Sequence, residues 1–284
     1  MKTKLIDGKK LSQKIKEQLK QEIQTFPTKP CLAVILVGDN PASQIYVRHK
    51  MKAAEEVGIE VKLFELSSVL TQDALVAFIH DLNENEAVDG IIVQLPLPKH
   101  LDTYQIVETI HPDKDVDGLC SRNLGQLFTG NPTIIPCTPL ACLALIEEAC
   151  SDLDGKRAVI VGRSCLVGKP VGQLLLEKQC TVTQAHSHTK ELDKVCQEAD
   201  ILVVAAGKAN LIGKNHVKFG AIVIDVGINR NSDGKICGDV DFNAVQGVVK
   251  AITPVPGGVG PMTVTMLLSN VVKVYVQKKL EKKA

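Results

Sequence analysis

Leu11, Ile15, Leu19 and Ile23 recur every four residues, a period that draws one apolar stripe along an opening helix. The pattern then changes. "CLAVILVG" (31–38) is apolar without interruption and predicts a buried strand, followed by a helix from about Ala42 to Val57. "EVKLFEL" (60–66), a helix through 72–83 and a strand in "DGIIVQLPLP" (89–98) continue the alternation. Continuous rather than alternating apolar strands suit a parallel sheet covered on both faces. A second series starts near Lys156, with strands in "RAVIVG" (157–162), "CTVTQAH" (180–186), "DILVVAAG" (200–207) and "AIVIDVG" (221–227). Between the two series, residues 111–140 are rich in Pro, Gly and Asp, and 138–150 reads as a connecting helix. The boundary is therefore expected near 140. The fold class is α/β with two domains, 1–140 with a mainly parallel sheet and 141–261 Rossmann-like. "PMTVTMLLSNVVKVYVQKKLEKK" predicts a last helix over 262–284, with Pro261 in its first turn. Its long apolar stripe is expected to pack back on the first domain.

Composition narrows the function classes. Of 284 residues, 45% are hydrophobic and 23% charged, ordinary globular values. Lys and Arg number 33 against 32 Asp and Glu, so no net field selects a nucleic acid or an acidic membrane. Nine cysteines stand singly without zinc-like spacing, which predicts reduced thiols, a cytoplasmic setting and no metal. No apolar run is read as approaching the roughly 20 residues of a membrane span.

The stretch "QIYVRHK" (44–50) holds the first candidate chemistry. On a helical wheel, at about 100° per residue, Arg48, His49 and Lys52 fall on the charged side. Lys50 falls in the apolar arc with Tyr46, Val47, Ala54 and Val57, one turn after Tyr46. This helix follows strand 31–38, so both side chains sit near the carboxyl ends of the strands, where open α/β sheets bind ligands. Gln94, at the end of the strand "GIIVQLPLP", and Asp117, in the loop "DKDVDGL", come from the same edge.

In the second series, "VIVGRSCLVGKPVG" follows a strand and opens a helix, the place of a dinucleotide phosphate turn. Gly162 holds the tight turn and Gly168 the helix start, with Ser164 where a second glycine usually stands. Helix-terminal N–H groups are expected to meet a phosphate. The next strand ends in "QAHSHT" without the carboxylate that would accept from a ribose 2′-hydroxyl. Arg163, His186 and Ser187 could instead hold a 2′-phosphate, which favours NADP over NAD, whereas His188 reads as a solvated loop residue.

"VGDNPASQIYVRHK", "VQLPLP", "HPDKDVDG", "PCTP", "VGRSCLVGKP", "HSHT" and "ITPVPGGVGPMT", in this order, resemble the bifunctional methylenetetrahydrofolate dehydrogenase/cyclohydrolase family, the FolD proteins. The resemblance runs from the first helix to the last. It implies oxidation of 5,10-methylenetetrahydrofolate with NADP, hydrolysis of the methenyl product to 10-formyltetrahydrofolate, and a homodimer. It implies catalysis by Lys50, with Tyr46 against the aminobenzoate ring, Gln94 beside Lys50 and Asp117 on the pterin. Leu95, Pro256, Gly257 and Gly258 would also line the folate site, the glycines letting backbone approach the ligand. Ile228 would join Gly162, Arg163, Ser164, Gly168, His186 and Ser187 at the cofactor. The hydrolytic step needs proton transfer as a C–N bond breaks, and burial beside apolar groups prepares an amine for that work.

Overall fold

A computed structural model describes residues 2–231 and 233–281. In chain order it runs β1 (Lys4–Leu5), α1 (Gly8–Ile23), β2 (Cys31–Val37), α2 (Pro41–Val57), β3 (Glu60–Leu66), α3 (Gln72–Glu84), β4 (Gly90–Val93), α4 (Thr103–Thr109), α5 (Ser121–Phe128) and α6 (Cys137–Ala149). The second half runs β5 (Arg157–Val161), α7 (Gly168–Glu177), β6 (Thr181–Ala185), α8 (Leu192–Gln197), β7 (Ile201–Val204), β8 (Ile222–Asp225), β9 (Asn229–Arg230), β10 (Ile236–Cys237), α9 (Phe242–Val245), β11 (Ala251–Ile252) and α10 (Val259–Glu281). The end of the expected last helix, 282–284, lies outside the described residues.

The chain divides into two compact units, one of Lys14–Cys137 with Val264 onward, the other of Met1–Gln13 with Thr138–Thr263. The first thirteen residues, expected in the first domain, belong with the second unit. The cause is strand pairing: Lys4 and Leu5 lie parallel to Ala251 and Ile252. A two-residue strand this far from its partner leaves no periodic trace in the sequence.

Pro256, Gly257 and Gly258 fall in that second unit, whereas the unit of residues 14–137 holds Tyr46, Lys50, Gln94, Leu95 and Asp117. Its sheet has the order β3-β2-β4, all parallel. Every residue of the central β2 is buried, as an apolar run without alternation requires. Ala33, Ile35, Val37, Leu75, Ile79, Ile91 and Ile106 form the core on one face. β4 stops at Val93, short of the expected 98, because Pro96 and Pro98 bring no N–H to a ladder. Two short helices, α4 and α5, fall where the sequence suggested no element. From Val264 on, the last helix belongs to this unit, with Tyr275 stacked on Phe26 and hydrogen-bonded to Thr28 at 2.8 Å. Contrary to the reading of its composition, α10 is long and apolar enough to cross a membrane. Most of that stretch is buried within the fold, as in a core helix.

The other unit has the sheet order β1-β11-β8-β7-β5-β6, parallel throughout. The chain starts this series at β5, steps outward to β6, then returns past β5 to β7 and β8. The order therefore reverses at β5, the switch point where such sheets take a dinucleotide.

Candidate active site

Lys50 is placed by the ends of its helix. The Asn40 side chain accepts from the N–H groups of Ala42 and Ser43, Pro41 stands in the first turn, and Gly58 closes α2 in the left-handed region at φ 97°. Arg48, His49 and Lys52 are exposed, while Lys50 is half-buried. Its Nζ donates to Gln94 Oε1 at 3.0 Å. Gln94 is buried, and its amide group donates to the Leu95 carbonyl at 2.6 Å, which fixes which end faces the lysine. Tyr46, one turn earlier, keeps 43% of its surface exposed, which leaves its ring open to stacking.

Asp117 sits on a turn built by its neighbours. Asp115 is buried and accepts from Gly118 N, Cys120 N and Asn123 Nδ2 at 2.8–3.1 Å. Lys114 donates to the last carbonyls of α3, Leu82 and Asn83, and to Asn85 beyond. Of the four charged residues in "DKDVDG", Lys114 and Asp115 are therefore structural, Asp113 is exposed and Asp117 is half-buried. The buried Cys137 thiol lies against the Val116 carbonyl at 3.3 Å and hydrogen-bonds the Asp117 carboxylate. Burial, then the Asp117 charge, push this thiol well above its ordinary pKa, while the Lys50 ammonium pulls the other way. The Cys137 thiol thus lies within the fields of both Asp117 and Lys50, and Lys50 is joined directly to Gln94.

Asn270 completes the support. Its buried amide donates to the carbonyls of Val116 and Ile135, both at 2.9 Å. Neither Cys137 nor Asn270 was singled out from the sequence. Cys137 lay inside the quoted "PCTP". Asn270 is a polar position within the apolar stripe of the last helix, and that was the available signal.

In the other unit the phosphate turn has the expected glycines for identifiable reasons. Gly162 adopts φ 136°, and a side chain there would come within 2.3 Å of the Ala205 carbonyl. A side chain at Gly168 would meet the Gly162 carbonyl at 2.2 Å, so the helix start packs directly on the turn. Ser164 Oγ accepts from Val167 N, so one N–H expected to face a phosphate is instead satisfied within the turn. The Ser164 hydroxyl proton stays available for donation, and Arg163 is exposed beside it. At the end of β6, His186 Nδ1 accepts from His188 N at 3.1 Å. The ring proton of neutral His186 therefore resides on Nε2. Ser187 is exposed, and Ile228 is 56% exposed on the loop after β8. Near residue 257, a side chain at Gly258 would collide with Pro254 and Thr253, and one at Gly8 would fall 1.9 Å from the Gly258 carbonyl. Protein, rather than ligand, fills the space these glycines open. Pro256 is the exposed member of that turn.

Two family models match the chain: the catalytic domain of tetrahydrofolate dehydrogenase/cyclohydrolase over residues 6–117, and its NAD(P)-binding domain over 136–279. The chain belongs to the tetrahydrofolate dehydrogenase/cyclohydrolase family. A bifunctional FolD protein of Agathobacter rectalis is 50% identical over 272 residues, 95% of this chain and 98% of that relative. The crystal structure of the bifunctional FolD enzyme of Campylobacter jejuni superposes with a TM-score of 0.95 at 49% identity, covering 97% of this chain and 99% of that one. That of Trypanosoma brucei, complexed with NADP cofactor and inhibitor, has a TM-score of 0.92 at 38% identity and covers 98% and 99%. As a family member the chain is a dehydrogenase and a cyclohydrolase of folate one-carbon metabolism. The nucleotide-binding unit fits the family's cofactor: two close glycine contacts, the donors Arg163, Ser164, His186 and Ser187, and no acid at the end of β6.

Proposed function

We propose that this enzyme oxidises 5,10-methylenetetrahydrofolate to 5,10-methenyltetrahydrofolate with NADP+ and then hydrolyses the product to 10-formyltetrahydrofolate, with Lys50 as its catalytic residue. The observation that carries the assignment is the half-buried Lys50 Nζ held 3.0 Å from Gln94 Oε1. When bound, NADP+ supplies the acceptor for the hydride leaving the methylene carbon. The folate nitrogens provide the electron push in that step, so the protein's task is positioning. Tyr46 offers a ring face to the aminobenzoate, and Asp117 offers two oxygens to the amide N–H and amino group of the pterin. Leu95, next to Gln94, contributes to the folate site. Hydrolysis places heavier demands on side chains. Water adds to the methenyl carbon and gives up one proton, a ring nitrogen accepts a proton as its C–N bond breaks, and the hydroxyl left on that carbon releases its proton as the formyl C=O forms. Lys50, oriented by Gln94, is the group that moves those protons.

On the cofactor, Gly162 and Gly168 admit the pyrophosphate, Ser164 donates to it, and Ile228 lies along the nicotinamide half. Arg163, His186 Nε2–H and Ser187 take the 2′-phosphate. Family membership supports a homodimer, and nine free cysteines suit a cytoplasmic enzyme.

The test is a spectrophotometric assay with methylenetetrahydrofolate, run in parallel with NADP+ and NAD+ and followed by decay of the methenyl product. NADP+ should be preferred. Arg163→Ala should raise the KM for NADP+ by roughly tenfold or more, the value of one charge-assisted bond, and that for NAD+ little. An equal effect on both cofactors would refute the 2′-phosphate role.

A further inference from the structure

Two carboxylates are buried together beyond the residues so far assigned. Asp225 ends β8 and Asp239 follows β10, and both are almost wholly inaccessible. Asp225 Oδ1 accepts from Gly227 N and Asp239 N, and its Oδ2 from Val240 N, each at 2.9 Å. Asp239 Oδ2 accepts from Ala206 N at 2.6 Å and Gly207 N at 2.9 Å, and its Oδ1 from Asn229 Nδ2 at 2.8 Å. All these donors are neutral amides. The chain makes room for the carboxylates: a side chain at Gly227 would meet Asp239 Oδ1 at 2.3 Å, and one at Gly238 would meet Asp225 Oδ2 at 1.8 Å.

The backbone groups so gathered are the loops at the carboxyl ends of β7 and β8, neighbours in the sheet. Asp225 N also donates to Thr253 Oγ1 at 2.8 Å, tying in the segment after β11. Burying two like charges is costly, and replacing them by apolar groups would be easier if packing were their only task. What they add is direction. Gly227 is held by Asp225 and Asn229 by Asp239, so Ile228 between them is presented outward on a loop fixed on both sides. The adenosine ribose belongs at the end of β6 and the pyrophosphate at β5. The other half of a dinucleotide must then lie over β7 and β8.

We propose that Asp239 and Asp225 are positioning residues for the nicotinamide half of the cofactor, holding the loops 205–207 and 227–229 in the form that receives it. This rests on the nucleotide-binding reading of this unit. Calorimetric titration with NADP+ and with 2′,5′-ADP, which carries only the adenosine half, separates the two ideas. Asp239→Asn keeps an oxygen for Ala206 and Gly207 but turns an amide against the Asn229 amide. NADP+ should bind roughly tenfold more weakly to it, as for one buried donor left facing another, while 2′,5′-ADP binds within about twofold of wild type. Asn229→Ala removes the same bond from the loop side, should show the same selectivity, and decides the matter if Asp239→Asn does not fold. The proposal is overturned if NADP+ affinity is unchanged in the folded variants, or if both ligands weaken alike. Failure of the wild-type enzyme to bind 2′,5′-ADP would instead sink the nucleotide reading beneath it.

Discussion

Lys50 shares a seven-residue stretch with Arg48 and His49, and only its place on the helix separates it from them. The wheel assigned it to the apolar arc, and the structure gives it the buried Gln94 as partner while its neighbours stay exposed. If it moves the protons of the hydrolytic step, Lys50→Met should lower cyclohydrolase turnover by about 10²-fold or more, the usual range for a lost acid–base group. Oxidation, which needs mainly positioning, should fall less. Decay of the methenyl chromophore checks this, and near-normal hydrolysis would remove Lys50 from the mechanism. Asp117 was legible in the same way, through its loop. Its supports were not: Asp115 and Asp117 look alike in "DKDVDG", and only the three donors around Asp115 show which carboxylate is bound inside.

Among elements, the long ones were readable because their periods are unmixed. β2, α2, α3 and the strands of the second series lie where the apolar pattern puts them, within a few residues. The short α4 and α5 were missed because two turns give too few positions for a period to emerge, and α5 also lies in the segment 111–140 whose composition suggests loop. The junction of β5 and α7 shows how narrow a local requirement can be. Gly162→Ala would force a side chain into a φ of 136° and against the Ala205 carbonyl. A cost above about 2 kcal/mol is expected from the strained backbone and the clash together. Loss of 2′,5′-ADP binding, with a lower urea midpoint, would be the signature. A variant that keeps both would show that the turn tolerates a different path.

For the whole molecule, carboxyls in different surroundings link stability to pH with opposite signs. Burial pushes Asp225 up to about 6, with the Asp239 charge adding to the rise and backbone N–H groups opposing it. The folded protein therefore takes up this proton before the unfolded chain does. The cost of the buried charge is complete above pH about 6 and is relieved as pH falls toward the ordinary 3.8. Asp200 and Glu56 are lowered by hydrogen bonds from Lys218 and Lys16, so their contributions hold above their ordinary range and disappear only at lower pH. Between pH 7 and 5 Asp225 is the main term of the three. Measured by urea unfolding, wild type should gain on Asp225→Asn by on the order of 1 kcal/mol over that interval. Parallel behaviour of the two proteins would contradict the assignment.

The sequence alone determined the two series of parallel strands, the helix that carries Tyr46 and Lys50, the phosphate turn and the family, because each is written in local period or contiguous motif. Tertiary structure decided what joins distant positions. It placed residues 1–13 with the second unit through β1 and β11, set Asn270 beneath Val116 and Ile135, and closed Asp225 and Asp239 around the loops after β7 and β8. Those contacts satisfy buried polar groups, and where they cross long spans, as from Asn270 to Val116, the hydrogen bond leaves no spacing to read.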